Sequence, residues 1–212
     1  MKTIFIMKDI IKILENLFII RKDCYPKQIE GENKYIVVKK ELTDGILQRH
    51  LKGEVTIGCF QIQPITNKVK WICFDFDGDL KEEFEKAKQL FYKLKEGGFN
   101  PLMEYSGRRG YHIWLFIEPI DVSIAKKFAT DVSKEVKPHE IFPKQNKLEN
   151  GKKYGCQVKL PLGIHRVSMK WSFLFDEDLK QLNQEESKEL LIKINNKKRD
   201  EISTNNLKEF VL

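Results

Sequence analysis

The chain has 212 residues, 41% of them apolar and 14 of them Phe, enough to bury one substantial core or two small modules; a disordered polymer and a large multidomain machine are both excluded. Lys and Arg number 38 against 31 Asp and Glu, and the resulting net charge of +7 favours a polyanionic partner. Cys24, Cys59, Cys73 and Cys156 form no C-x-x-C pair, so neither a zinc ribbon nor a disulfide framework is expected, and a reducing cytoplasm fits best. The apolar stretch from Ile4 to Ile20 is broken by Lys8, Asp9, Lys12 and Glu15, so no membrane span or export signal is expected.

In chain order, Ile10, Leu14, Leu17 and Phe18 recur at helical spacing and predict an amphipathic helix from Met7 to Ile20. A polar loop around Glu30 to Asn33 precedes a strand at Tyr35 to Val38, a short helix at Thr43 to Leu51 capped by Thr43, and a strand at Val55 to Ile62. Val69 to Phe76 is β-branched and aromatic and stops at the turn Asp77-Gly78-Asp79, which marks a buried strand. A helix follows from Lys81 to Lys95, ended by Gly97-Gly98. Leu102 to Tyr105 and Tyr111 to Ile117 flank the connector Ser106 to Gly110 as a hairpin. Ser123 is placed as the cap of a helix reaching Val136, with Ile124, Phe128 and Val132 inward.

Short strands are expected at Glu140 to Phe142, Gln157 to Leu160 and Trp171 to Phe175, then a charged helix from Gln184 to Lys198 in a peripheral tail. The fold class is therefore α/β, in the α+β sense. An N-terminal α/β module (1–64) packs on an RRM-like or ferredoxin-like β-α-β-β-α-β sheet (65–180), followed by a helical tail (181–212).

Two strings carry chemistry. In Trp71-Ile72-Cys73-Phe74-Asp75-Phe76-Asp77-Gly78-Asp79, strand alternation sends Asp75 and Asp77 to one face and Phe74 and Phe76 to the other. Two rigid carboxylates aimed at one point suit hard divalent cations, although a solvated turn would use the same residues. In Ser106-Gly107-Arg108-Arg109-Gly110-Tyr111-His112, two glycines bracket two arginines, so backbone amides and guanidinium groups can clamp an anion with His112 beside them.

Together the D-x-D strand end and the S-G-R-R-G-x-H loop resemble the archaeo-eukaryotic primase superfamily. Lys159-Leu160-Pro161-Leu162-Gly163-Ile164-His165 resembles the family's K-x-P-x-x-x-H segment that contacts nucleotide phosphates. The resemblance implies a third metal carboxylate on an intervening strand. Glu140 is chosen because Ile141 and Phe142 make a short buried strand that could lie beside Asp75, and Asp176 is the alternate. Arg21 to Tyr25, Leu42-Thr43-Asp44, His50-Leu51 with Gly53, and Thr56-Ile57-Gly58 are similar to the N-terminal modules of primase-polymerases from prokaryotic defence loci, CRISPR-associated ones included. The likeness runs from about Leu17 to Asp178; His50 is read as packing or capping rather than catalysis.

The implied activity is that of a primase and DNA-directed polymerase. It would transfer nucleotides from dNTPs or NTPs to a 3′-hydroxyl on a single-stranded DNA template and also start primers. Two Mg²⁺ or Mn²⁺ ions would sit on Asp75, Asp77 and Glu140, and Ser106, Arg108, Arg109, His112, Lys159 and His165 would grip the nucleotide. The Lys-rich surface would hold template and primer, without a membrane partner and with other proteins of a defence locus as companions. Lys126-Lys127 and Lys197-Lys198-Arg199 read as solvated helix faces. Two alternatives stay open: a haloacid-dehalogenase-like Mg²⁺ phosphatase with Asp75 as nucleophile, which FDFDGD also resembles, and a catalytically silent nucleic-acid-binding module.

Overall fold

The computed structural model describes residues 2–148, 154–200 and 202. Its elements, in order, are α1 (Lys2–Phe18), β1 (Tyr25–Gln28), β2 (Tyr35–Val38), α2 (Asp44–Leu51), β3 (Gly58–Phe60), β4 (Lys68–Asp77) and α3 (Leu80–Glu96). There follow β5 (Leu102–Tyr105), β6 (Gly110–Asp121), α4 (Val122–Val132), β7 (Glu140–Phe142), β8 (Gln157–Lys159), β9 (Phe173–Leu174) and α5 (Gln184–Asn195). The segment β4-α3-β5-β6-α4-β7 folds as the expected ferredoxin-like unit, with its four strands ordered β7-β4-β6-β5 and β9 added at the edge. All pairings in this sheet are antiparallel.

Alternation divides the sheet into two faces. Phe74 and Phe76 of β4, Ile113 and Leu115 of β6, and Met103 of β5 are fully buried on one face, where Ala87, Leu90 and Leu94 of α3 and Ala125, Phe128 and Val132 of α4 cover them. Trp71 and Cys73 of β4, Trp114 and Phe116 of β6, and Leu102 of β5 occupy the other face and pack against α1. Val69 belongs to the helix-covered face although it lies two residues from Trp71; the register of the β4–β6 pairing shifts between them, two steps on β4 spanning four on β6. The Trp71 indole donates to the Phe18 carbonyl at 2.9 Å, and the Phe18 and Trp114 rings meet edge to face at 5.0 Å.

Among the described residues, none before position 65 joins the five-stranded sheet. β1 and β2 make an antiparallel pair, and β3 pairs with β8 through Cys59 opposite Val158. These two small ribbons stand beside the end of the main sheet at which β4 runs into Asp77. Among the described residues no helix is long and apolar enough to cross a membrane.

Four local expectations need correction. Asp121, not Ser123, caps α4: its carboxylate accepts the Ser123 amide at 2.8 Å, and the helix starts one residue earlier than Ser123. The helix buries Val122, Ala125, Phe128, Ala129 and Val132 and leaves Ile124 39% exposed. Thr43 sits at the start of α2 but makes no side-chain cap bond. The tail is not peripheral up to residue 202: Leu191 of α5 is fully buried against the α1 side of the core, and Asp200 accepts the Asn100 amide at 2.9 Å. Positions 203–212 lie outside the described residues. β1 was missed because Tyr-Pro-Lys-Gln is short and carries a Pro, which normally marks a strand edge or its absence.

Candidate active site

The D-x-D strand ends where a row of charged side chains crosses the sheet. Asp75 on β4 lies opposite Glu140 on β7 and opposite His112 on β6, and His112 in turn lies opposite Glu104 on β5. Paired residues on neighbouring antiparallel strands share a face, so four ionisable groups from four strands form one line. The next row toward the sheet centre, Phe142–Cys73–Trp114–Leu102, is apolar and buried. The face therefore changes from core to site within one strand repeat.

Asp77 is placed by the loop that follows it. Asp79 caps α3, its carboxylate accepting the amides of Lys81 and Glu82 at 3.0 and 3.2 Å, so it serves the helix start and not the cleft. The Gly78 amide donates to the Arg109 carbonyl at 3.1 Å, tying the acidic loop to the Ser106–Gly110 connector. Gly110 is required by closeness: a β-carbon there would lie 1.9 Å from the Phe76 carbonyl oxygen. Gly107 has φ +94° and its carbonyl accepts the Ser168 hydroxyl at 2.5 Å, which fastens this connector to the segment after Lys159.

The Lys159–His165 segment is held from below by His50. The imidazole Nδ1 accepts the Ile57 amide at 3.3 Å, and Nε2 donates to the Pro161 carbonyl at 3.0 Å. Complete burial, reinforced by Lys159, pulls the His50 pKa down to about 4, so the ring is neutral, as these two bonds require. The packing role expected of His50 is the one the structure shows. His165 is likewise lowered to about 4 by burial and by Lys159 and Arg108; its Nδ1 accepts the Val167 amide at 3.2 Å, which leaves Nε2 as the donor.

All nine residues singled out from the sequence, Asp75, Asp77, Ser106, Arg108, Arg109, His112, Glu140, Lys159 and His165, line one cleft of about 210 Å³. The alternate carboxylate, Asp176, does not: it folds back on the amides of Asp178 and Lys180 at 3.0 and 2.8 Å and borders a separate groove beside Phe91 and Phe175. Burial raises the Asp75 pKa, and although His112 opposes this, Asp77 and Glu140 add to it. Arg109 holds Asp77 at 2.6 Å, and Lys144 pairs with Glu140. Two of the three carboxylates are thus engaged by the protein's own cations, and among the described residues no three acidic, His or Cys side chains are drawn together closely enough to chelate an ion as they stand.

Four contributors were not anticipated. Tyr35 and Asn33, from the β1–β2 region, form one wall, and Lys144, two residues beyond β7, pairs with Glu140. Glu104, fully buried, stands behind the wall and contacts His112, Trp114 and Lys159. Glu104 was nevertheless within reach of sequence reasoning, since residues 104 and 112 are equidistant from the centre of the hairpin connector and so fall opposite each other.

The profile of the family described as "TOTE conflict system, Archaeo-Eukaryotic Primase domain" matches residues 9–205. Among curated proteins none matches. Among solved structures the chain is similar to the AEP domain of the cyanophage S-2L primase-polymerase, with TM-score 0.50, 14% identity, and 87% of this chain and 97% of that chain covered. It is also similar to primase RepB′ (TM-score 0.47, 10% identity, 89% of this chain and 62% of that chain). A third likeness is to the polymerase domain from Mycobacterium tuberculosis ligase D in complex with DNA (TM-score 0.43, 11% identity, 89% of each chain). At so low an identity the first of these likenesses speaks to the fold, an α+β architecture shared with a primase-polymerase. The family match, which spans nearly the whole chain, decides the rest: this protein belongs to the archaeo-eukaryotic primase domain family of TOTE conflict systems, a family of primase-type nucleotidyltransferases.

Proposed function

We propose that the chain is a template-directed primase-polymerase that joins nucleotides from dNTPs or NTPs to a 3′-hydroxyl on single-stranded DNA and starts primers as well as extending them. One observation carries this reading: nine side chains from four separated stretches of sequence meet in a single cleft, with carboxylates on the β4–β7 side and basic groups on the connector and Lys159–His165 sides. A silent binding module would have no use for Asp75, Asp77 and His112 together.

The donor set fits hard divalent cations. Three carboxylates share the cleft, and burial, with Asp77 and Glu140 adding to it, raises the pKa of Asp75, so its ionised form would gain from a cation beside it. Two Mg²⁺ or Mn²⁺ ions held by Asp75, Asp77 and Glu140 would supply Lewis-acid activation of the attacking hydroxyl and neutralise the departing pyrophosphate. Arg109 is the mobile clamp: more than half exposed, it can leave Asp77 for the triphosphate when that carboxylate takes up another cation. Ser106, Arg108, the Nε2 donor of His165 and the His112 ring, a donor at Nε2 when both of its nitrogens are protonated, complete the grip. Lys159 acts as charge rather than as a donor, because its ammonium already donates to Ser172 Oγ at 3.0 Å and the Leu160 carbonyl at 3.1 Å and faces Glu104 at 3.4 Å. The basic surface holds the template and primer backbone, with affinity that falls as salt rises. Partners encoded with a conflict system of this kind, including CRISPR-linked ones, are part of the proposal.

The test is synthesis. The chain is incubated with a labelled initiating nucleotide, dNTPs or NTPs, single-stranded DNA and Mg²⁺ or Mn²⁺, beside the Asp75→Ala, Asp77→Ala double variant. Template-dependent products from the parent alone support the proposal. Phosphate release without template, or DNA binding with no product, contradicts it.

A further inference from the structure

The apolar row and the charged row described above lie side by side on the same strands, yet the charged row extends one residue deeper than the cleft does. Glu104 is fully buried, does not line the cleft, and is still ionically engaged on every side. Its Oε2 accepts the Trp114 indole N–H at 2.8 Å and meets His112 Nδ1 at 2.9 Å, while Oε1 faces the Lys159 ammonium at 3.4 Å. Burial alone would raise the Glu104 pKa, but Lys159, His112 and the two ring N–H bonds hold it down to about 2. An ionised carboxylate only accepts hydrogen bonds, so Nδ1 of His112 carries a proton and the ring is turned with Nε2 toward the cleft, 3.7 Å from Asp75 Oδ1.

As a device for stability this cluster is a poor choice. Buried ionic groups are commonly matched or exceeded by well-packed apolar ones, and this sheet makes that choice one row away at Leu102 and Cys73. What the apolar solution cannot provide is a fixed imidazole. We propose that Glu104 is a positioning residue of the nucleotide site, fixing the direction of the His112 ring through its Nδ1 and pinning Lys159 as a stationary positive charge behind the triphosphate. The inference rests on the primase-polymerase reading and names a residue through which its phosphate grip is set.

Glu104→Gln in the full chain keeps the side chain's size and removes its charge. Binding of a non-hydrolysable dNTP with Mn²⁺, binding of single-stranded DNA and the thermal midpoint are measured for the parent, Glu104→Gln, His112→Ala and the double variant. Triphosphate affinity should drop about tenfold or more in Glu104→Gln, single-stranded DNA affinity should stay within about twofold, and the drop should be smaller once His112 is Ala, the remainder being the share carried through Lys159. A folded Glu104→Gln whose triphosphate affinity is within about twofold of the parent overturns the inference, as does an equal loss in both backgrounds. Nitrogen-15 imidazole spectra of the unsubstituted protein give an arm that needs neither folding of a variant nor nucleotide binding. A protonated Nδ1 on His112 is expected, and an unprotonated Nδ1 overturns the role of Glu104. Failure of the parent itself to bind triphosphate would instead remove the primase-polymerase reading.

Discussion

The two faces of the five-stranded sheet are built from the same strands and differ only in which alternate residues they present. On the helix-covered face, Phe74 and Phe76 sit in a dry core with Ile113 and Leu115; on the other, their neighbours Asp75 and Asp77 open into the cleft beside His112 and Glu140. The difference shows that this protein separates stability from chemistry by the two-residue period of a strand rather than by domain. A rigid apolar face holds the register, and the register holds the charges.

Substitutions at adjacent positions should therefore give opposite phenotypes. Asp75→Asn should reduce primer extension by about a thousandfold or more while leaving the denaturation midpoint unchanged or slightly higher, because it removes a carboxylate whose charge is disfavoured by burial and, to a lesser extent, by Asp77 and Glu140. Extension that persists within tenfold would break the division of labour. At the preceding residue, Phe74→Ala should cost about 3 to 5 kcal/mol in urea unfolding, since the ring is fully buried and its removal leaves a cavity. A loss below about 1 kcal/mol would mean that the helix-covered face is not the rigid side.

The pH dependence of stability sharpens the same contrast, because the cleft wall leans on a histidine that must stay neutral. His50 has a folded pKa of about 4, below its value of about 6.5 in the unfolded chain. The unfolded state thus binds the proton first on acidification. Stability from this residue is complete above about pH 6.5 and is lost as pH falls toward 4, with a total on the order of 2 to 3 kcal/mol. Thermal melts from pH 7 to 4 should show the decline, and His50→Gln should flatten it; equal slopes in the two proteins would contradict the assignment. The smallest effect is expected at Ile124, exposed on α4: Ile124→Ser should change stability by no more than about 0.5 kcal/mol, whereas the core position expected from the sequence would have cost several times as much.

The strands that carry the site were legible because their signals are local. The alternation in Trp71–Asp77, the bracketing glycines of the connector and the Pro-Gly bend of Lys159–His165 each occupy fewer than ten residues and place their side chains without knowledge of the rest. Glu140 was reached through the short strand that contains it, and the register puts it directly opposite Asp75. Glu104 and Tyr35 were hidden for a different reason. Glu104 in Leu-Met-Glu-Tyr looks like an ordinary surface carboxylate until Lys159, 55 positions later in the chain, arrives beside it, and Tyr35 faces the cleft only because the β1–β2 ribbon lands there. Ile124 was misplaced because its spacing from Phe128 and Val132 suits a helix face, whereas the buried stripe is centred on Val122, Ala125, Ala129 and Val132 and leaves Ile124 beyond its edge.

The most direct measurement is a crystal structure with Mn²⁺ and a non-hydrolysable dNTP, read by the anomalous signal of manganese. Peaks enclosed by Asp75, Asp77 and Glu140, with Arg109 moved from Asp77 onto a triphosphate that also touches His112 and His165, are the expected result. Manganese bound elsewhere, or a triphosphate lodged in the groove beside Phe91, Lys95 and Lys193 with the Asp77–Arg109 pair intact, would contradict the account.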